Sequence, residues 1–154
     1  HFVKLGRKKI ENLIKSIGIF RIKAKNIYLM SKRLLREHRG KVPKSFESLE
    51  KLPGVGHKTA SVVMSQGFGI PAFAVDTHIH RLAQRWGLTN GKNVIQTEKD
   101  LKRIFPKKTW SKLHLQIIYY GREFCKARAC YGLTCKICTT CYPKRKNPLI
   151  IKKV

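Results

Sequence analysis

Acidic residues are scarce in this chain: 8 Asp+Glu stand against 34 Lys+Arg in 154 residues, a formal net charge of +26. Such an imbalance opposes self-association and favours a polyanion as partner, so a monomer bound to nucleic acid or to an anionic membrane surface is expected. Long apolar runs are also missing. No stretch approaches the ~20 apolar residues needed to span a bilayer. The basic residues are spread along the whole chain, which favours DNA or RNA over a membrane. Cysteine is absent before Cys125, and all five cysteines lie between Cys125 and Cys141. A secreted disulfide scaffold would scatter them to staple distant segments. Crowding argues for a metal or cluster site in a reducing, intracellular compartment. No secretory signal opens the chain, since "HFVKLGRKKIENLIK" has neither a long apolar core nor a small-residue cleavage site. His1 is not an initiator residue, so a missing natural N-terminus is expected.

No pair of strands with a hairpin turn appears, and helical periodicity dominates. Ile10, Leu13, Ile14 and Ile17 fall on one helical face, and Ile27, Met30, Leu34 and Leu35 repeat the pattern until Gly40 stops it. A short helix is predicted over Phe46 to Lys51, started by Pro43 and Ser45, and another over about His57 to Gln66. "GFGIPA" reads as a loop. "DTHIHRLAQRW" reads as a helix capped by Asp76, followed by helices in "NVIQTEKDLKRIF" and "WSKLHLQIIYYGREFC". The predicted fold class is all-α, a helical bundle with a cysteine-rich C-terminal loop. Two parts are expected. Residues 1–108 form the helical part, with a helix-hairpin-helix at about 45–67, and 109–154 carry the last long helix, the cysteines and a basic tail.

Between the two short helices stands "LPGVG". Glycines there permit positive φ and close backbone approach, so bare N–H groups can reach a phosphate. The next helix adds its own unpaired N–H groups and the positive end of its dipole. This grips DNA without reading sequence. A phosphate-binding P-loop is excluded: it needs Lys directly after its last glycine, whereas "GVGHKT" inserts His57, and a helix precedes the turn instead of a strand. Lys58 falls in the first turn of the second helix, where the dipole disfavours a positive charge and an amine nucleophile is more available. A solvated or phosphate-binding lysine is the plainer reading. Asp76 has a plain role as N-cap, yet a carboxylate facing an amine can also accept its proton or stabilise a developing cation.

Taken together, "LPGVGHKTA", "GIPAFAVDTHIHR" and "YGREFC" with its cysteine tail resemble the endonuclease III family, iron–sulfur members of the helix-hairpin-helix DNA glycosylases. The resemblance runs from about Leu5 to Cys141. It implies a bifunctional glycosylase and apurinic/apyrimidinic lyase acting on double-stranded DNA with an oxidised pyrimidine or an abasic site. The damaged base is flipped into a pocket. Lys58 attacks C1′ and forms a Schiff base, Asp76 activates Lys58 and stabilises charge, and β-elimination cuts the strand. Gly54, Val55 and Gly56, with the turn through His57 and Thr59, hold a phosphate. Ile19 occupies the position of an apolar wedge that fills the space left by the flipped base, and a buried core isoleucine is the alternative. Arg122 and Lys126 are candidate phosphate contacts. The resemblance also implies further helices ahead of the segment beginning at His1.

In the cysteine tail the pattern departs from the family. Aligned on "YGREFC", the family's C-x6-C-x2-C-x5-C puts ligands at Cys125, Cys135 and Cys141 and falls on Gly132 at the second position, which cannot ligate. Cys138 is taken as the fourth thiolate, with Cys130 as its alternative. The implied cofactor is a [4Fe–4S] cluster of structural role. Zinc is the alternative, because "CKIC" and "CTTC" are ordinary two-cysteine knuckles. Two other functions stay open: a non-catalytic helix-hairpin-helix DNA-binding module, and a zinc-bearing RNA-binding protein. The compartment is the bacterial nucleoid or a eukaryotic nucleus or mitochondrion.

Overall fold

The computed structural model describes residues 1–151. It is helical throughout, with no strand among the described residues. Contacts divide the chain into two units, His1–Ala60 and Ser61–Val154. The expected division at 108/109, placed at the start of the last long helix, falls inside the second of these units. Residues 152–154 of the basic tail lie outside the described residues.

The first unit begins with α1 (Phe2–Leu13) and α2 (Phe20–His38), which pack together. Ile10 and Ala24 are buried there. The first apolar face is shorter than its spacing predicts: the chain leaves the helix after Leu13, Ile17 N–H bonds back to Ile14 O in a tight turn, and Leu13 and Ile17 are exposed. At the far end of α2, Arg39 (φ 52°) and Gly40 (φ +77°) turn left-handed, and Gly40 N–H satisfies Leu34 O. That is a glycine-assisted helix stop. The short α3 (Phe46–Glu50) is capped by Ser45, whose Oγ accepts the Ser48 N–H at 3.2 Å. Leu49 and Leu52 are buried on its inner side. The chain then turns through Pro53 to Gly56 into α4 (His57–Val62).

In the second unit, Val63–Gly67 continues α4 as a π-turn, a widening often found near functional sites. A run without regular structure over 69–76 follows and leads to α5 (Thr77–Arg85), α6 (Val94–Ile104) and α7 (Trp110–Glu123). Helix α5 packs on both α6 and α7. Phe73, Val75, Ile79, Leu82, Leu101 and Ile117 form the core, and Cys125, Cys130, Cys135 and Cys138 are part of the same buried cluster. At Gly121 in α7 a Cβ would stand 3.2 Å from a Leu82 methyl, so glycine sets how closely α7 approaches α5. A further short helix, α8 (Lys136–Cys141), lies inside what the sequence reads as a loop. No helix of the described residues is long and apolar enough to cross a membrane.

Candidate active site and thiol cluster

The hairpin turn is built on two glycines with different physical reasons. Gly54 has φ +79°, and a Cβ there would lie 2.8 Å from Asn26 Cβ on α2, so no other residue fits without a shift. Gly56 is the opposite case. A Cβ there would meet nothing within 4 Å, so packing does not demand glycine. What its missing side chain leaves is bare backbone facing open space, where an external group can come close. The turn is closed by Val55 N–H to Leu52 O (3.0 Å), and the next helix opens with Ala60 N–H to Gly56 O (2.9 Å). His57 is tied back to α3: its Nδ1 lies 2.7 Å from Glu50 Oε1, and its ring stacks on Phe46. His57, Lys58 and Thr59 are exposed and Val55 is half-buried. Lys58 is the second residue of α4, directly after the turn.

Ile19 stands at the N-cap of α2 with φ 54° and ψ 32°, and is 69% exposed. Left-handed backbone at a β-branched residue is an outlier that costs of order 1–3 kcal/mol and tends to occur where function holds it. This is not the setting of a buried core isoleucine.

In the second unit, Asp76 is half-buried at the N-cap of α5, as its sequence position predicts. Its Oδ1 accepts the Ile79 N–H at 2.9 Å, which fixes the direction of the carboxylate. Arg122 and Lys126 are exposed at the end of α7 and the start of the cysteine loop.

The loop gathers Cys125, Cys130, Cys135 and Cys138, all buried, with their four Sγ atoms within 4.8 Å of one another. Cys138 Sγ lies 3.8 Å from Cys125 Sγ and 3.9 Å from Cys130 Sγ. This set differs from the expected one in a single member: Cys130 joins, and Cys141, expected as one of the firmer ligands, stays outside. The reason is local. Cys138 sits on the inner side of α8 while Cys141, its last residue, is exposed. Tyr131 (φ 50°) and Gly132 (φ +81°) reverse the chain beside Cys130 and leave its side chain inward. Gly132 also has no room for a Cβ, which would come 2.6 Å from Arg145 Nη1.

Two arginines of α5 serve this loop, a role the sequence does not announce. Arg81 Nη2 donates to the carbonyls of Gly121 and Cys125. Arg85 donates to Cys125 Sγ at 3.2 Å and to three loop carbonyls. A basic residue every four positions of a helix is the only sequence signal for them.

Thiol acidities diverge within the group. Burial pushes the Cys130 thiol up, but the N–H groups of Cys135 and Thr134 and the Thr134 hydroxyl outweigh it and hold it down at about 5. Burial pushes Cys125 up to about 11 despite the Arg85 hydrogen bond, and raises Cys138 further. Four converging buried sulfurs beside a buried guanidinium are a donor set for a soft, thiolate-bound metal. The residues present fit such a group.

Comparison with known proteins identifies the family. Residues 1–107 match the model of the HhH-GPD superfamily of base excision DNA repair proteins. Endonuclease III of Bacillus subtilis is 44% identical over 147 residues, which cover 95% of this chain and 67% of that protein. Endonuclease III of Synechocystis is 44% identical, with 88% and 62% covered. The chain thus spans about three fifths to two thirds of the length of these relatives. A solved structure of endonuclease III trapped as a covalent intermediate with DNA superposes with a TM-score of 0.83 at 41% identity, over 88% of this chain and 64% of that one. The chain belongs to the endonuclease III family of the helix-hairpin-helix base excision repair superfamily.

Proposed function

We propose that the protein is a DNA glycosylase and abasic-site lyase of base excision repair, with Lys58 as nucleophile. The observation that carries this is Lys58 itself, exposed in the first turn of α4 behind the glycine turn, in a chain 41% identical to an enzyme trapped covalently on DNA. The lone pair of Lys58 Nζ attacks C1′ of the flipped nucleotide. The C1′–N bond breaks, and the base leaves with the electron pair and takes up a proton. The amine then loses a proton, the ring C1′–O4′ bond opens, and an iminium links Lys58 to C1′. Removal of a C2′ proton next breaks the C3′–O bond and expels the 3′ phosphate.

Asp76 accepts the lysine's proton and stabilises positive charge at C1′; its N-cap bond to Ile79 supports that role by fixing the carboxylate. Gly56, with open space where a Cβ would be, supports close phosphate approach. The exposed, strained Ile19 supports the wedge role. Arg122 and Lys126 add phosphate contacts. The partner is damaged double-stranded DNA, bound by a monomer inside the cell.

For the thiol group we infer the family's [4Fe–4S] cluster, held by Cys125, Cys130, Cys135 and Cys138. When bound it orders the basic loop, and no step of the reaction runs through it. Zinc is a second reading favoured by one observation. Zn–S bonds of about 2.3 Å set tetrahedral thiolates about 3.8 Å apart, close to the 3.8 and 3.9 Å that separate Cys138 Sγ from Cys125 Sγ and Cys130 Sγ, in a set whose atoms all lie within 4.8 Å of one another. A cluster takes one thiolate per iron and spreads them wider. Iron, zinc and acid-labile sulfide per chain decide between the two.

The test of the function is borohydride trapping on a duplex with one thymine glycol and on one with an abasic site. A covalent protein–DNA band that disappears in Lys58→Gln is expected. DNA binding without any band would leave a module that only grips DNA.

A further inference from the structure

Arg85 is the last residue of α5 and is 1% exposed. Its Nη1 donates to Cys125 Sγ (3.2 Å), Cys125 O (3.3 Å) and Lys126 O (3.0 Å), and its Nη2 to Ala127 O (3.0 Å). The loop returns the grip. Arg145 Nη1 donates to the carbonyl of Arg85 and to that of Gly132, both at 3.0 Å, while its guanidinium lies on the Tyr142 ring. One side chain thus fixes the segment from Cys125 to Ala127, and its own backbone is fixed from the tail.

Three of the four groups that Arg85 bonds are backbone carbonyls, which bring no net charge to this buried cation, and a buried charge without a counter-charge is costly. Four thiolates around a doubly positive ion or cluster leave about two negative charges. We propose that Arg85 is a positioning residue for the metal site: it supplies the counter-charge of the loaded thiolates and hydrogen-bonds the Cys125 sulfur that binds the metal. This rests on the reading that the four cysteines hold a metal. It goes beyond that reading by assigning the outer partner, through which protein groups tune a site's retention and electronic structure. A residue that only stapled the loop would need the carbonyl bonds alone. The bond to sulfur predicts an effect on the metal itself.

The test begins with the unaltered chain as isolated, with metal per chain measured first. Arg85→Gln and Arg85→Lys follow, read by metal release into excess chelator and by the energy of the thiolate-to-metal charge-transfer band (with cobalt substituted if the native metal is zinc). Arg85→Gln is expected to release metal ~10–100-fold faster and to move the band to lower energy. Arg85→Lys, which keeps the charge, is expected to recover part of both. On the unaltered chain the metal–sulfur stretches in the resonance Raman spectrum are expected to shift between H2O and D2O, as an N–H···S bond requires. Backbone N–H groups that bond Cys130 add to that shift, so if neither variant folds, the hyperfine coupling of a 15N-labelled Arg85 guanidinium to the reduced cluster or the substituted cobalt decides, and its absence overturns the proposal.

Release within twofold of the unaltered chain with an unmoved band overturns the proposal, as does absence of the D2O shift. Faster release with an unmoved band also overturns it, because that is what a loop staple gives. No metal in the unaltered chain overturns both this proposal and the metal reading beneath it, whereas metal that ignores Arg85 overturns this proposal alone.

Discussion

Two substitutions within four residues of Lys58 should have opposite consequences, and the structure says which is which. In Gly54→Ala the new residue must hold φ +79°, and its Cβ must stand 2.8 Å from Asn26 Cβ. Left-handed backbone costs an L-residue roughly 1–2 kcal/mol. Crowding a methyl against a helix adds about 1–3 kcal/mol. The sum, about 2–5 kcal/mol, corresponds to a urea midpoint lower by roughly 1–2.5 M at a slope near 2 kcal/mol per M. In Gly56→Ala the methyl meets nothing and φ lies outside the left-handed range, so the midpoint should stay put or rise by a few tenths of a molar unit as the unfolded chain loses freedom. DNA is where Gly56→Ala should be felt, since the methyl stands where a phosphate is proposed to dock. Urea unfolding followed by far-UV circular dichroism, and anisotropy with a labelled duplex, measure both. Equal midpoint losses in the two variants would refute the reasoning, and so would unchanged DNA affinity in Gly56→Ala.

Ile19→Gly should stabilise the chain by about 1 kcal/mol, because strained left-handed backbone is relieved, while removal of thymine glycol falls and cleavage at a ready-made abasic site falls less. Duplex affinity should drop steeply with salt, and Arg122→Ala or Lys126→Ala should each lower the log–log salt slope by about 1 if each touches one phosphate; anisotropy titrations at several salt concentrations read this. Metal retention should weaken as pH falls. Burial raises the Cys125 and Cys138 thiols, so their protons compete harder with the metal, and binding that expels protons is favoured at high pH and lost in acid. Chelator release rates at several pH values check the sign. Asp76→Asn should keep the cap, since an amide oxygen still accepts the Ile79 N–H. Unfolding should then change little while adduct formation falls sharply in borohydride trapping.

Much of the candidate site was readable because it is local. The cap at Asp76, the helix start at Lys58 and the turn at Gly54 each depend on residues within one turn of chain, and the spacing of "LPGVGHKT" or "VDTH" carries them. Asn26 shows where local reading ends. It stands 28 residues before Gly54 and supplies half of the reason for that glycine, which no window around the turn displays. The cysteine set was harder for the same reason. Its selection of Cys130 over Cys141 depends on the burial of α8, on positive φ at Tyr131 and Gly132, and on Arg85 and Arg145 reaching in from distant positions. Even Ile19 was readable only as a position. Its exposure and left-handed backbone, which separate a wedge from a core residue, are tertiary facts.

A chain with 34 Lys+Arg has many amines, so a trapped band alone does not say which one reacted. The most direct measurement is to reduce the adduct with borohydride, digest protein and DNA, and locate the sugar remnant by mass spectrometry. The account predicts it on Lys58 Nζ. A remnant on the His1 α-amine, or spread over several lysines, would contradict it.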